Sequence, residues 1–179
     1  TVSTATAKPR EEQPEPDRSA AHFEVLAAPM PALFQDLGRL GQTGQGVSAS
    51  GALDRSAFNA ANRIVGNPVN TPCLELTLGG FSFKSSSRTV IGIAGAPCPI
   101  TIRTAEGNTL DAAAYAPVSL EPGDVVTFGQ PLSGMRCYLA VRGGFNVDPV
   151  LGSFATDTLA VVGPQPVTAG SILFLNTEK

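Results

Sequence analysis

From Phe23 onward the chain is written in short runs of Val, Ile, Leu and Phe, cut at close intervals by Gly, Pro, Asn and Asp. Alternating apolar runs bounded by turn residues are the pattern of β-strands. FEVLAAP (23–29) and ALFQDLG (32–38) are the first two. CLELTLGG, FSFKS, TVIGIAGA, PITIRTA, TLDAAAY, PVSLEPG, DVVTFG, RCYLAVRGG and VTAGSILFL follow between positions 73 and 175. One window departs from this period. Leu53, Ala57, Phe58, Ala61, Ile64 and Val65 recur at steps of three and four, which predicts a single principal helix over about residues 53–65. Gly66 and the Asn67-Pro68 pair stop it. AEGN at 105–108 and EPGD at 121–124 read as hairpin turns, while L-x-P-G-D at 120–124 and V-x-A-G-S at 167–171 look like two versions of one turn. The fold class is mainly β, a barrel or sandwich with one helix packed on or across it.

Residues 1–21 break the pattern, with seven charged residues, three prolines and no large apolar side chain beyond Val2. Such a composition cannot repay the entropy of ordering, so a disordered polar tail is expected there and a β-barrel domain over 22–179. The chain begins without methionine, as a processed end does. Its 42% hydrophobic and 15% charged residues suit one principal globular domain.

Charge and residue usage then exclude several functions. Twelve Lys and Arg against fifteen Asp and Glu give a net charge of -3, and no basic stripe appears, which argues against a nucleic-acid partner. No apolar run approaches the roughly 20 residues that span a bilayer, and no basic-then-apolar leader is present, so no membrane partner and a cytoplasmic location are expected. His22, the single histidine, stands at the junction of the tail and the first apolar run, leaving the folded body without an imidazole to offer. Ser-His-Asp, Cys-His and histidine-zinc chemistry drop out, and no metal site is expected. Cys73, Cys98 and Cys137 are too far apart for a metal knuckle and odd in number, so buried reduced thiols are the default. Only Cys137, beside Arg136, has the positive neighbour that a reactive thiolate needs.

The stretch from Gln35 to Asn67 concentrates glycines, charges and amides. Its loop GQTGQG (41–46) could cradle an anion on backbone N–H groups, with Gly41, Gly44 and Gly46 as the candidate cofactor-binding positions. The spacing is G-x-x-G-x-G without a following Gly-Lys-Ser/Thr, so a turn-rich loop closing a barrel is the stronger reading. Asp36, Arg39, Asp54, Glu75 and Arg142 lie in or beside apolar elements, where charges either neutralise one another or line a cavity. In a cavity, arginines would hold carboxylate or phosphate oxygens and a carboxylate would serve as base or metal ligand. YLAVRGGF (138–145) and GSFATD (152–157) are polar strand ends of the kind that gather at barrel mouths.

Taken in order, Q-D-L-G-R-x-G (35–41), G-V-x-x-S-G-A-L-D (46–54), A-N-R-I-V-G-N (61–67), L-E (74–75), G-A (95–96), P-G-D (122–124), G-M-R-C-Y-L-A-V-R-G-G (134–144) and L-G-S-x-x-T-D (151–157) resemble the allophanate hydrolase subunit 2 family, also called the biotin-dependent carboxyltransferase family. The resemblance implies a cyclophilin-like β-barrel and a protein that acts with a subunit 1-like partner and a second half or catalytic subunit. It implies catalytic roles for Asp36, Arg39, Asp54, Glu75 and Arg142, and substrate contacts from Gln35, Ser50, Asn62 and Asp157. The implied substrate is a small amide or lactam, with ATP and magnesium used at the level of the complex and no cofactor assigned to this chain. One branch opens 5-oxoproline to glutamate; a second is the carboxyltransferase part of urea carboxylase and allophanate hydrolase systems; a third is a non-catalytic antagonist that binds a kinase-inhibitor-like subunit 1. Relatives continue into a related second half, so about half of the family pattern is expected to lie outside this sequence. A split subunit, a shortened piece or a degenerate copy would each fit. Two arginines of the pattern are replaced, at Phe154 and near Gln165.

Overall fold

The computed structural model describes residues 19–42, 44 and 46–176. The expected tail therefore lies outside the described residues up to position 18. Eleven strands and one helix follow: β1 (His22–Ala27), β2 (Leu33–Gln35), α1 (Arg55–Val65), β3 (Cys73–Thr77), β4 (Ser82–Ser85), β5 (Thr89–Gly95), β6 (Ile100–Arg103), β7 (Thr109–Ala112), β8 (Pro117–Leu120), β9 (Val125–Phe128), β10 (Arg136–Val141) and β11 (Ile172–Phe174). Every apolar run singled out above contains one of these strands. They form two antiparallel sheets, β11-β1-β4-β9-β6-β7 and β2-β3-β10-β5-β8, which face each other without closing into one continuous barrel.

Period-two patterning assigns each face. On β10, Cys137, Leu139 and Val141 point into the core between the sheets, with Leu74, Leu76, Ile91, Ile93, Phe23, Phe83 and Phe128. Tyr138 and Ala140 point the other way, to a smaller core beneath α1 made with Ala57, Phe58, Ala61 and Val65. Both faces of the second sheet are thus covered, which is why its central strands read as continuous apolar runs. The helix sits very close to β5 at Gly92, where an added Cβ would lie 2.6 Å from the Ala61 carbonyl oxygen.

The helix ends match their sequence signals. Asp54 is the N-cap, its carboxylate accepting the Ala57 N–H at 2.9 Å, and Gly66 takes the left-handed C-terminal position at φ 76°. AEGN closes the β6–β7 hairpin as expected, with Thr104 N–H donating to Asn108 O. EPGD does not close a hairpin. β8 pairs with β5 and β9 with β4 and β6, so this turn carries the chain from one sheet to the other. The reason is in the turn itself: the buried Asp124 carboxylate accepts N–H groups of both Glu121 and Ala105 and fixes a corner. The likeness between the two turns holds at the atomic level. Glu121 N–H donates to Asp124 Oδ2 and Asp124 N–H to Glu121 O, while Thr168 N–H donates to Ser171 Oγ and Ser171 N–H to Thr168 O. His22 corrects another expectation, because its ring is buried in β1 against Phe174 with Nδ1 2.8 Å from Ala20 O. No helix among the described residues is long and apolar enough to cross a membrane.

Candidate functional site

The segment after β10 returns alongside the edge strand β2, where Thr156 N–H donates to Phe34 O and Ala32 pairs with Val167. The loop from Asp36 to Ser50 comes back to the same place, with Arg39 N–H donating to Ala49 O. Two carboxylates join these chain segments. Asp36, fully buried, accepts Gly38 N–H and Ser153 Oγ–H on Oδ1 and Phe154 N–H on Oδ2, at 2.7 to 2.8 Å. Asp157 accepts both serine hydroxyls of the glycine loop on Oδ2, Ser48 at 2.6 Å and Ser50 at 2.9 Å, and the N–H groups of Leu159 and Ala160 on Oδ1. Those donors, led by Ala160 N–H and Ser48, hold the Asp157 carboxyl well below the usual carboxylate range.

Arg39 lies in the space that these clamps enclose. Its side chain is 1% exposed, yet its one hydrogen bond runs from Nη2 to Ala155 O, and Nε and Nη1 have no partner among the described residues. Among the described residues no carboxylate pairs with it; the ion pairs there are Arg88–Glu121 and Arg136–Glu75. Gly163 forms a wall, since a Cβ there would strike the Ala155 carbonyl and stand 3.1 Å from Arg39 Nη2. Beside it, Gln35 donates from Nε2 to Thr156 O at 3.2 Å and keeps a buried Oε1 without a partner among the described residues. A small cleft of about 190 Å³ is lined by Thr156, Asp157, Val161, Gly163 and Pro164. A buried guanidinium whose Nε and Nη1 have no partner among the described residues can donate to a carboxylate, carbonyl or phosphoryl oxygen.

The other expected site residues divide among separate places. Glu75 is buried in a network under the start of α1: Arg136 Nη1 donates to Oε1, and Tyr138 O–H at 2.6 Å and Leu53 N–H at 3.2 Å donate to Oε2. Asp54 N–H donates in turn to Tyr138 Oη at 2.8 Å. Burial, then the hydrogen bond to Glu75, raises the Tyr138 phenol above its ordinary range. Asp54 is exposed and spends its carboxylate on the helix cap. Asn62 is buried, donating to Thr71 O and accepting from Asn67, which braces the helix end. Arg142 is exposed past the end of β10, with Nε donating to Val65 O, and lines a groove of about 620 Å³ with Arg88 and Glu121. The five charges do not form one cluster. In the loop 41–46, Gly41, Gly44 and Gly46 face open space and Thr43 and Gln45 lie outside the described residues.

Sequence reasoning missed Ser48, Ser153 and the Ala155 carbonyl, which no local signal marks. Tyr138 and Arg136 were findable, because they stand two apart on a strand whose pattern places both on the helix side. Among the described residues no group of three or more His, Cys, Asp and Glu could hold a metal ion.

Two facing antiparallel sheets thus carry one helix on the second of them, and the loops at that sheet's edge bury Arg39. Residues 45–179 match the family model described as carboxyltransferase domain, subdomain A and B, and the chain belongs to that family. It is 39% identical over 145 residues to urea amidolyase of Saccharomyces cerevisiae, covering 79% of this chain and 8% of the relative. It is 36% identical over 141 residues to a subunit of the 5-oxoprolinase of Escherichia coli, covering 79% of this chain and 44% of the relative. The crystal structure of the K. lactis urea amidolyase superposes with a TM-score of 0.82 at 35% identity, over 88% of this chain and 10% of that one. The chain thus spans less than half the length of these relatives.

Proposed function

We propose that this chain supplies one half of the substrate site in an ATP-dependent 5-oxoprolinase-type complex, which opens the lactam of 5-oxoproline to glutamate in the cytoplasm. The observation that carries the reading is Arg39, a buried cation whose Nε and Nη1 have no partner among the described residues. An unreactive amide is opened by placing charge on its oxygen, and fixed donors in a site shielded from water stabilise that charge strongly. Arg39 would hold the carboxylate or activated oxygen of the substrate, while the Asp36 and Asp157 clamps keep the guanidinium in place. ATP and magnesium would act at the level of the complex, with no residue of this chain assigned to hold them. The exposed Leu40, Leu159 and Val161, which flank this site in sequence, would be covered by a second half or by a subunit 1-like partner.

A second reading is the carboxyltransferase step of a urea carboxylase, in which Arg39 would stabilise oxyanionic charge on the amide that accepts the carboxyl group. The likeness to urea amidolyase in sequence and structure favours it. The test combines this chain with the products of its neighbouring genes and measures ATP-dependent glutamate release from 5-oxoproline beside urea-dependent bicarbonate incorporation. Glutamate release alone supports the first reading and bicarbonate incorporation alone the second. A stable complex with neither activity defeats both.

A further inference from the structure

The three cysteines occupy different environments. Cys73 is fully buried beneath the helix, and burial pushes its thiol far above the ordinary range. Cys137 lies on β10 with its side chain in the core between the sheets, and Cys98 packs half-buried against that same core. Cys98 belongs to the connection 96–99, which carries the chain from β5 in one sheet to β6 in the other. That connection is braced on all sides: Ala96 N–H donates to Arg136 O, Leu132 N–H to Pro97 O and Gly129 N–H to Pro99 O, each at 2.8 Å. Gly95 pairs with Cys137 in the β5–β10 ladder. A Cβ at Gly95 would lie 2.6 Å from Arg136 O and 2.9 Å from Cys137 Cα, so only a glycine lets the turn close directly onto this part of β10. Fixed backbone on both sides thus holds one half-exposed and one buried thiol at the same end of the core. The hydrogen-bonding partnership with Cys137 lowers the Cys98 thiol against the opposing pull of burial, and Cys137 is raised.

We propose that Cys98 and Cys137 form a dithiol that hydroperoxides oxidise to an intramolecular disulfide, with Cys98 the reacting thiolate and Cys137 the resolving thiol. In the first step the Cys98 sulfur attacks a peroxide oxygen. The O–O bond breaks, the second oxygen leaves and takes a proton as water or alcohol, and Cys98 becomes a sulfenic acid. In the second step the Cys137 sulfur attacks the Cys98 sulfur, the S–O bond breaks, and the hydroxyl leaves with the Cys137 proton as water. The two sulfurs lose two electrons between them and the peroxide gains two. A small dithiol reductant reverses the change by exchange.

The test treats the folded chain with a slight excess of hydrogen peroxide, alkylates the remaining thiols and maps the peptides by mass spectrometry. The expected result is a mass lower by about 2 Da before alkylation, one cross-linked peptide pair holding Cys98 and Cys137, and Cys73 free to alkylate once the protein is unfolded. Cys137→Ser should halt Cys98 at the sulfenic acid, captured by a cyclic 1,3-diketone, and Cys98→Ser should slow oxidation at least about tenfold. The peptide map of the unaltered chain decides the matter even where a variant folds poorly. Three intact thiols, a cross-link between two molecules, or Cys98 carried to the sulfinic acid with Cys137 still free would each overturn the proposal.

Discussion

Replacing Arg39 by methionine separates a site residue from a structural one, because the two roles predict opposite signs. Methionine keeps most of the stem length and removes the charge. Arg39 is 1% exposed, and among the described residues its guanidinium makes one hydrogen bond and leaves Nε and Nη1 without partners. Each buried donor left open costs about 1–3 kcal/mol, and a single hydrogen bond from a charged group returns about 1.5–3 kcal/mol. The desolvation of the charge adds several kcal/mol more on the unfavourable side. Arg39→Met forfeits the bond to Ala155 O, whose carbonyl then stands unpaired at about 1–3 kcal/mol. On balance these terms favour the variant, which should be more stable than the parent chain by an amount comparable to the gain of about 1–4 kcal/mol found when a buried ion pair gives way to well-packed apolar side chains. Urea denaturation of the isolated chain, followed by circular dichroism, reads this as a higher midpoint at unchanged slope. A loss of more than about 2 kcal/mol would refute the reasoning, since it would require Arg39 to be well paired inside the folded chain.

Other expectations follow from the clamps and caps. Glu75→Gln leaves Arg136 without its buried partner and should cost about 3 kcal/mol in chemical denaturation. Tyr138→Phe removes the hydroxyl that joins Glu75 to Asp54 N–H and should cost about 1–3 kcal/mol by the same measurement. The Asp157 carboxyl is depressed below its ordinary 3.8, so its contribution is fully present above that pH and is lost as pH falls through the lower folded value. Melting temperatures between about pH 4 and pH 2 should therefore fall less steeply for Asp157→Asn than for the parent chain. Asp54→Ala should cost about 1 kcal/mol, the ordinary value of an N-cap, and leave turnover unchanged; a large loss of turnover would return Asp54 to the site.

The fold was legible because its signals are local. Alternating or continuous short apolar runs bounded by turn residues mark the strands, and the steps of three and four from Leu53 to Val65 mark the helix with its Asp54 and Gly66 ends. EPGD misled because a turn signal says that the chain bends and not which sheet receives it; Asp124 binding Ala105 N–H settles that, and it is a contact across 19 residues. The buried charges were legible as a class, since Asp36, Arg39 and Glu75 sit in apolar contexts and are indeed inside. Their partners were not. Asp36 meets Ser153 across 117 residues and Asp157 meets Ser48 across 109, distances over which one sequence carries no pairing information. Arg142 was placed with the others because it ends a strand, but β10 runs antiparallel to both neighbours, and that end lies by the helix C-terminus at Val65.

The central claim is that Arg39 holds substrate oxygen in a site completed by another half. Its most direct measurement is kcat/KM of the reconstituted complex, by ATP-dependent glutamate release and by urea-dependent bicarbonate incorporation, with the parent chain and with Arg39→Met. Size-exclusion chromatography of the same samples reports assembly. Unchanged assembly with a loss of at least about 100-fold in whichever reaction the parent supports is the predicted result. An assembled Arg39→Met complex that turns over within twofold of the parent would contradict it.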